Sequence, residues 1–214
     1  MPRATIEDLV ATVRQRGIRD PLLLKAIRGV PRGDFVPPDV ADQAYLDVPL
    51  PIGHGQVTTQ PSLVAQMVEA LDLAGPERVL EIGTGFGWQT ALLARLARDV
   101  WSIERLDDVA AAARANLRAH DVANAHVVVG DGTLGLDEHA PYDAIIVAAA
   151  FPEVPAPLVE QLVDGGRLVQ PIGRGGREEV VLFAKREGAP VGLRVLTGAR
   201  FVRLVGAYGF PDES

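Results

Sequence analysis

Short apolar runs alternate with amphipathic segments along the chain from residue 78 onward. Five apolar runs have the length of strands, and segments with apolar residues at helical spacing lie between them. This alternation predicts an α/β fold with a doubly wound, mainly parallel sheet. The run at 143–149 is apolar on both faces, as expected for a central strand. The predicted strands are 78–82, 100–104, 126–129, 143–149 and 167–172, and the predicted helices are 88–98, 106–119 and 155–163.

The last part of the chain departs from this pattern, because two apolar runs follow each other without a helix between them. They lie at 179–184 and 200–205. We expect an antiparallel pair that completes a seven-stranded sheet. Strand alternation then places Arg203 on the same face as Phe201 and Val205. The final four residues are expected to fray.

The first 60 residues predict a helical extension followed by a long loop. Residues 4–29 have the pattern of two short helices, the second opened by Asp20 as a cap and Pro21 in the first turn. Residues 30–60 are rich in Pro and Gly, and so long a loop in a compact domain is usually functional. Helical spacing returns at 61–71. We expect a single domain, 1–214, made of an N-terminal part (1–60), a core (61–173) and C-terminal antiparallel strands (174–214).

Composition narrows the classes of function. Hydrophobic residues make up 48% of the chain and charged residues 23%, which is ordinary for a globular protein. The net charge is −7, and the basic residues form no stripe, which disfavours a nucleic-acid partner. The chain has no cysteine, and its four histidines lack the spacing of metal ligands, so we expect no metal site.

No segment of the sequence predicts attachment to a membrane. The N-terminus reaches its first acidic residues without an apolar signal region. No later run approaches the roughly 18 apolar residues that span a bilayer. We therefore expect a cytoplasmic protein, with a monomer as the working hypothesis.

The segment from Val79 to Thr90 carries the strongest chemical signal. Its apolar strand passes through Glu81 into three alternate glycines and then into a helix. Glycines let backbone N–H groups approach a ligand closely, and the start of a helix offers free donors and a positive dipole end. The pattern predicts a cradle for a nucleotide-like cofactor. Its spacing, G-x-G-x-G, differs from the pyrophosphate turn of dinucleotide-dependent dehydrogenases, which disfavours that class of enzyme.

Two later strands end in acids that we expect beside this cradle. Glu104 lies 23 residues after Glu81, near the ~20-residue offset of a ribose-binding carboxylate. Asp131 follows the next strand, between Gly130 and Gly132, and could accept a hydrogen bond from an adenine amino group. The carboxyl ends of parallel strands share one crevice, so both acids should meet there.

Most of the chain resembles the protein-L-isoaspartate O-methyltransferases, which use S-adenosylmethionine on the class I, Rossmann-like methyltransferase fold. The segment 55–61 is the most specific part of the resemblance, because methyltransferases in general share the cradle but lack this loop. The other matching stretches are 32–37, 51–53, 80–90, 130–132, 140–147 and 171–173.

The resemblance implies where the cofactor binds. Glu81, Gly83 and Gly85 are expected around its methionyl part and Glu104 at its ribose, while Asp131 with Gly132 holds adenine. The full set of expected cofactor-binding residues is Glu81, Gly83, Thr84, Gly85, Gln89, Glu104, Arg105, Asp131 and Gly132.

The resemblance also implies which residues meet the substrate. Thr59 stands where the family usually has a serine that touches the substrate carboxylate, so we expect it to be the catalytic residue. Its extra methyl group restricts χ1, which affects the substrate range rather than the reaction. A helix begins nearby, so capping is the alternative role of Thr59. Thr58 is another expected substrate contact. Arg203 departs from the family, whose C-terminal strand commonly has proline there; it is expected to pair with a peptide carboxylate, although it could equally be a solvated strand residue. Trp88, where tyrosine is more usual, is expected to serve packing.

The implied reaction needs no general base. A carboxylate with an ordinary pKa near 4 is already ionised at neutral pH, so catalysis reduces to placing it against the methyl group and excluding water. This agrees with the lack of a nucleophile triad, paired acids or a metal motif in the sequence. The product ester in this family collapses to a succinimide, and its hydrolysis to aspartate repairs isomerised proteins. The substrates are then isoaspartyl peptides and proteins.

Two other functions stay open. One is a relative that esterifies a single aspartate of a ribosomally made peptide, although such relatives tend to carry a further C-terminal segment and this chain ends soon after its last predicted strand. The other is a module that binds S-adenosylmethionine without catalysis, since cradle residues indicate binding rather than turnover.

Overall fold

Two N-terminal helices precede the sheet. The computed structural model describes residues 3–212, so the last two residues of the tail expected to fray lie outside it. Helix α1 spans Ile6–Gln15 and begins with a capping box in which Thr5 and Asp8 exchange hydrogen bonds. Helix α2 spans Pro21–Gly29 and is capped by Asp20, as expected. Both helices bury one apolar face in the same core that covers the sheet.

The long loop that follows is more ordered than the sequence indicates. It contains 3₁₀ turns at 32–35 and 38–43 and a hairpin of two short strands. These strands are β1, Leu50–Gly53, and β2, Gln56–Thr58, which pair antiparallel apart from the main sheet. Helix α3, Pro61–Ala70, comes directly after β2 and lies almost wholly in the core.

The central sheet has seven strands in the order β5-β4-β3-β6-β7-β8-β9. The first five are parallel, and β7, β8 and β9 pair antiparallel. The doubly wound, mainly parallel sheet predicted from the sequence is therefore confirmed. Its strands are β3 (Arg78–Ile82), β4 (Asp99–Glu104), β5 (Ala125–Val129), β6 (Tyr142–Val147), β7 (Leu162–Ile172), β8 (Glu178–Arg186) and β9 (Ala189–Ala199), and its remaining helices are α4 (Trp88–Ala94), α5 (Asp107–Ala119) and α6 (Ala156–Gln161).

The predicted seventh strand at 200–205 is wrong, because that place belongs to β9. A two-residue turn joins β8 to β9, and both its residues, Glu187 and Gly188, have positive φ. Turns of this kind match the twist of antiparallel strands. Proline and glycine inside β9 obscure its pattern in the sequence, but an edge strand tolerates both.

The segment after β9 joins no strand of the sheet and contains a turn at 206–209. Within residues 3–212 its β-type pairing consists of isolated bridges, one between Arg203 and Ala150 and one between Val205 and Phe210. Strand alternation therefore does not determine the direction of the Arg203 side chain. Among residues 3–212, no helix is long and apolar enough to cross a membrane.

Candidate active site

A cleft opens where β3 and β4 end, between the hairpin β1–β2 and the segment after β9. Its empty space, counted with the open solvent at its mouth, is about 1010 Å³. Its position at the carboxyl ends of parallel strands is where open α/β sheets bind nucleotide-like ligands. The predicted site residues that line it are Thr58, Thr59, Gly83, Thr84, Gly85, Gln89, Glu104, Arg105, Gly132 and Arg203.

The glycine turn forms the floor of the cleft. Gly83 and Gly85 have φ of 92° and 55°, a region where side chains are strained. A β-carbon on Gly83 would also stand 3.3 Å from the Ala148 side chain. Glycine is thus needed for both the turn and the close packing behind it. The turn leads into α4, as the sequence predicted.

Glu104 lies at the end of β4 with its carboxylate in the cleft. Its Oε2 accepts from the Gly85 N–H at 2.9 Å, and its Oε1 accepts from the N–H groups of Arg105 and Leu106 at 2.8 and 3.1 Å. A carboxylate offers about four acceptor positions, so one position is left for a ligand hydroxyl. This arrangement agrees with the predicted ribose contact, and it also ties Glu104 to the glycine turn.

Glu81 does not line the cleft but lies fully buried beneath it. Its carboxyl accepts from Gln89 Nε2 at 2.9 Å and from the hydroxyls of Thr90 and Ser102, each at 2.5 Å. Burial raises its pKa to about 7, although these hydrogen bonds act in the opposite direction. Glu81 thus supports the glycine turn and Gln89 from below, and its contact with the methionyl part of the cofactor stays a prediction.

Asp131 also lies outside the lining of the cleft. Its Oδ1 accepts from the backbone and hydroxyl of Thr133 at 2.8 and 2.6 Å, and its Oδ2 accepts from the Ala207 N–H at 2.7 Å. A β-carbon on Gly206 would overlap this carboxylate. Asp131 thus holds the C-terminal segment against the sheet edge. Its contact with adenine stays a prediction, whereas Gly132 beside it does reach the cleft.

Thr59 lines the same cleft as the glycine turn. Helix α3 is capped by Gln60 without any side-chain hydrogen bond, so capping does not account for Thr59. Within the described part of the chain, no group is hydrogen-bonded to the Thr59 hydroxyl. It is therefore available to a ligand, which agrees with its predicted role.

Two charged side chains, the buried Arg32 and the partly buried Asp47, hold the loop that carries Thr58 and Thr59. Arg32 is 1% exposed and donates to the carbonyls of Ala44 and Val48 and to the Thr58 hydroxyl. Asp47 accepts from the first turn of α3 and from the Gln60 amide, each at 2.9 Å. Burial lowers the pKa of Arg32 to about 10, and the charge of Asp47 opposes that change. In the sequence Arg32 stood out only as the first residue of the stretch 32–37 that resembles the family, and nothing there indicated that it would be buried.

Arg203 and Trp88 both reach the cleft. The Arg203 guanidinium carbon lies 5.0 Å from the centre of the Phe210 ring. Trp88 is 6% exposed and donates its Nε1 hydrogen to the Val30 carbonyl at 3.1 Å. Packing therefore dominates for Trp88, as predicted. The sequence did not predict the apolar lining that Phe35, Ile52 and the three residues Val202, Leu204 and Val205 contribute, because these residues are far apart along the chain.

A sequence model of the family described as protein-L-isoaspartate(D-aspartate) O-methyltransferase matches residues 4–209. The chain belongs to this family. Protein-L-isoaspartate O-methyltransferases of Methanoculleus marisnigri and Methanoregula boonei are each 51% identical to it. These alignments cover 94% and 92% of this chain and 91% and 90% of the relatives.

Solved structures of the family have the same fold. A structure of a protein-L-isoaspartate O-methyltransferase that is 31% identical superposes with a TM-score of 0.84, over 96% of this chain and 67% of that one. A Plasmodium falciparum protein, 23% identical, gives a TM-score of 0.79 over 93% of this chain and 97% of its own, and it was solved with S-adenosyl-L-homocysteine. The class I methyltransferase fold predicted from the sequence is thereby confirmed.

Proposed function

We propose that this protein transfers a methyl group from S-adenosylmethionine to the free carboxylate of L-isoaspartyl residues in peptides and proteins. The ester then closes to a succinimide, and its hydrolysis begins the repair of the damaged chain. One observation carries the proposal. The glycine turn with Glu104 and the loop with Thr58 and Thr59 line one and the same cleft, which supports the transfer of a group between two ligands.

The residues of the cleft fit S-adenosylmethionine. The glycine turn admits a close approach, and Glu104 keeps an acceptor position for a ribose hydroxyl. Gly132 cannot carry a side chain without overlapping Ile82, so backbone forms the wall there. When bound, the cofactor supplies an electrophilic methyl group on a sulfonium. Gly83, Gly85, Glu104 and Gly132 would hold it.

The chain's own part in the reaction is placement and the exclusion of water. The substrate carboxylate reaches the cleft already ionised, so no residue has to remove a proton. The Thr59 hydroxyl would donate to this carboxylate and fix its direction. The apolar lining with Phe35 and Ile52 would keep water from both charged partners.

The test is a comparison of two peptides that differ only in carrying isoaspartate or normal aspartate at one position. Each is incubated with the protein and S-adenosylmethionine labelled in its methyl group. We expect label on the isoaspartyl peptide alone, released as methanol in base. Equal labelling of both peptides would reject the proposal, and labelling of neither despite cofactor binding would favour the binding module.

The remaining expectations about its setting stay predictions. We propose that the protein acts as a monomer in the cytoplasm, on polypeptides rather than on nucleic acid. The net charge of −7 supports the last point. A dedicated ribosomally made peptide remains the alternative substrate, and a panel of unrelated isoaspartyl peptides distinguishes the two, because a repair enzyme accepts most of them.

A further inference from the structure

The hydroxyl of Thr58 uses both of its acceptor positions within the protein, so it is left with the donation of its own hydrogen. A threonine hydroxyl can accept two hydrogen bonds and donate one. Thr58 Oγ1 accepts from Arg32 Nη2 at 2.7 Å and from the Leu50 N–H at 3.3 Å, so both acceptor positions are used. No group in the described residues, 3–212, accepts its proton. Thr58 lines the cleft, so this hydroxyl can act there only as a donor.

Arg32 gives this donor its direction and strength. Its Nη1 donates to the Ala44 carbonyl at 2.8 Å, and its Nη2 donates to the Val48 carbonyl at 3.2 Å as well as to Thr58. The guanidinium carbon also lies 5.6 Å from the centre of the Trp88 ring. These contacts fix the position of the Arg32 guanidinium group. Its charge polarises the Thr58 hydroxyl, because hydrogen bonds in a chain strengthen one another in a medium of low dielectric constant.

The buried cation remains charged at neutral pH. Burial lowers the pKa of Arg32 only to about 10. Carbonyl oxygens and a hydroxyl are its hydrogen-bond partners, and no carboxylate is bonded to its guanidinium in the described part of the chain. Its positive charge is therefore not neutralised by direct contact, and an anion bound at Thr58 would be favoured over a neutral group of the same shape.

We infer that Arg32 is a positioning residue that makes the Thr58 hydroxyl a donor to the substrate's carboxylate, at the oxygen that does not receive the methyl group. The inference rests on the proposed function and adds a basis for selectivity. The substrate is an anion and the methyl ester is neutral, so the contact weakens once the ester forms. The same contact is stronger with an isoaspartyl carboxylate than with the neutral amide, so the site prefers the carboxylate.

Two peptides test this inference in the presence of S-adenosylhomocysteine, which has no methyl group to give. One carries isoaspartate, and in the other the same α-carboxylate is a carboxamide. Their dissociation constants are measured by calorimetry for the wild type and for Thr58→Val and Thr58→Ser. The wild type should prefer the carboxylate. Thr58→Val should reduce that preference by about tenfold or more, as expected for a hydrogen bond to a charged group, and Thr58→Ser should keep it.

The affinity for S-adenosylhomocysteine should stay unchanged in both variants, which shows that the cleft is intact. Arg32→Lys should also reduce the preference, because one ammonium cannot span the contacts of the guanidinium fork. If that variant fails to fold, the Thr58 pair decides alone. An undiminished preference in Thr58→Val overturns the inference while the proposed function stands. If the wild type methylates no isoaspartyl peptide, the proposed function fails and the inference falls with it.

Discussion

The buried carboxyl of Glu81 should make the stability of the fold depend on pH. Its pKa is raised from an ordinary 4.5 to about 7, because the side chain is fully buried. Below about pH 4.5 the group is protonated in both the folded and the unfolded chain. Between about 4.5 and 7 the unfolded chain loses this proton and the folded chain keeps it. Stability therefore falls as the pH rises through this window.

The size of the effect follows from the change in pKa. At about 1.4 kcal/mol per pKa unit, a rise from 4.5 to about 7 corresponds to a loss of about 3 kcal/mol of unfolding free energy across the window. Glu81→Gln removes the titration and keeps the shape. The groups around it are the Gln89 amide and two hydroxyls, all of which can exchange donor and acceptor roles. Hydrogen bonding should therefore survive the change.

The assay is urea unfolding of the wild type and of Glu81→Gln at intervals from pH 4.5 to 7.5. All other titrating groups are common to both proteins, so their contributions cancel in the difference. As the pH rises, the unfolding free energy of Glu81→Gln should increase relative to that of the wild type by about 3 kcal/mol. Glu179→Gln, at an exposed position of β8, is the matched control and should run parallel to the wild type. A difference between Glu81→Gln and the wild type that does not vary with pH would refute the reasoning.

Three further changes test separate parts of the site. Thr59→Val should lower kcat/KM for an isoaspartyl peptide by about tenfold or more, whereas Thr59→Ser should retain activity. Equal rates for the two variants would show that the hydroxyl takes no part in catalysis. Gly132→Ala should cost about 1–3 kcal/mol in urea unfolding through overlap with Ile82, and Gly29→Ala, which meets open space, should not. Asp47→Asn should raise KM for the peptide, because Asp47 holds the loop that carries Thr58 and Thr59. It should also lower the unfolding free energy by about 1 kcal/mol through its contact with α3. Calorimetry should show unchanged affinity for S-adenosylhomocysteine.

The sequence predicted those parts of the site that are local along the chain. The glycine turn and Glu104 each follow a strand, and parallel strands bring their carboxyl ends together. Thr58 and Thr59 were found because they lie in the segment with the most specific resemblance to the family. In each case a short pattern was enough to place the residue at the cleft.

The remaining parts depend on contacts between distant segments. Arg32 is buried because carbonyls from residue 44 onward turn towards it, and no short pattern shows such a convergence. Asp131 was expected to face adenine, but Ala207 from the end of the chain bonds to its carboxylate. Glu81 stands in the middle of the strand-to-turn pattern, yet β4 and α4 supply the hydroxyls that enclose it. Strand β9 was missed because its own sequence has a poor strand pattern, and its pairing with β8 at the edge of the sheet is what makes it a strand.

Repair, the central claim, is tested most directly by following an isoaspartyl peptide through many turnovers. The peptide is incubated with the protein and excess S-adenosylmethionine, and its isoaspartyl, succinimide and aspartyl forms are separated over time by chromatography. We predict transient succinimide, loss of the isoaspartyl form and accumulation of normal aspartyl peptide, with no change when S-adenosylhomocysteine replaces the methyl donor. Persistence of the isoaspartyl form in the presence of bound S-adenosylmethionine would contradict the account.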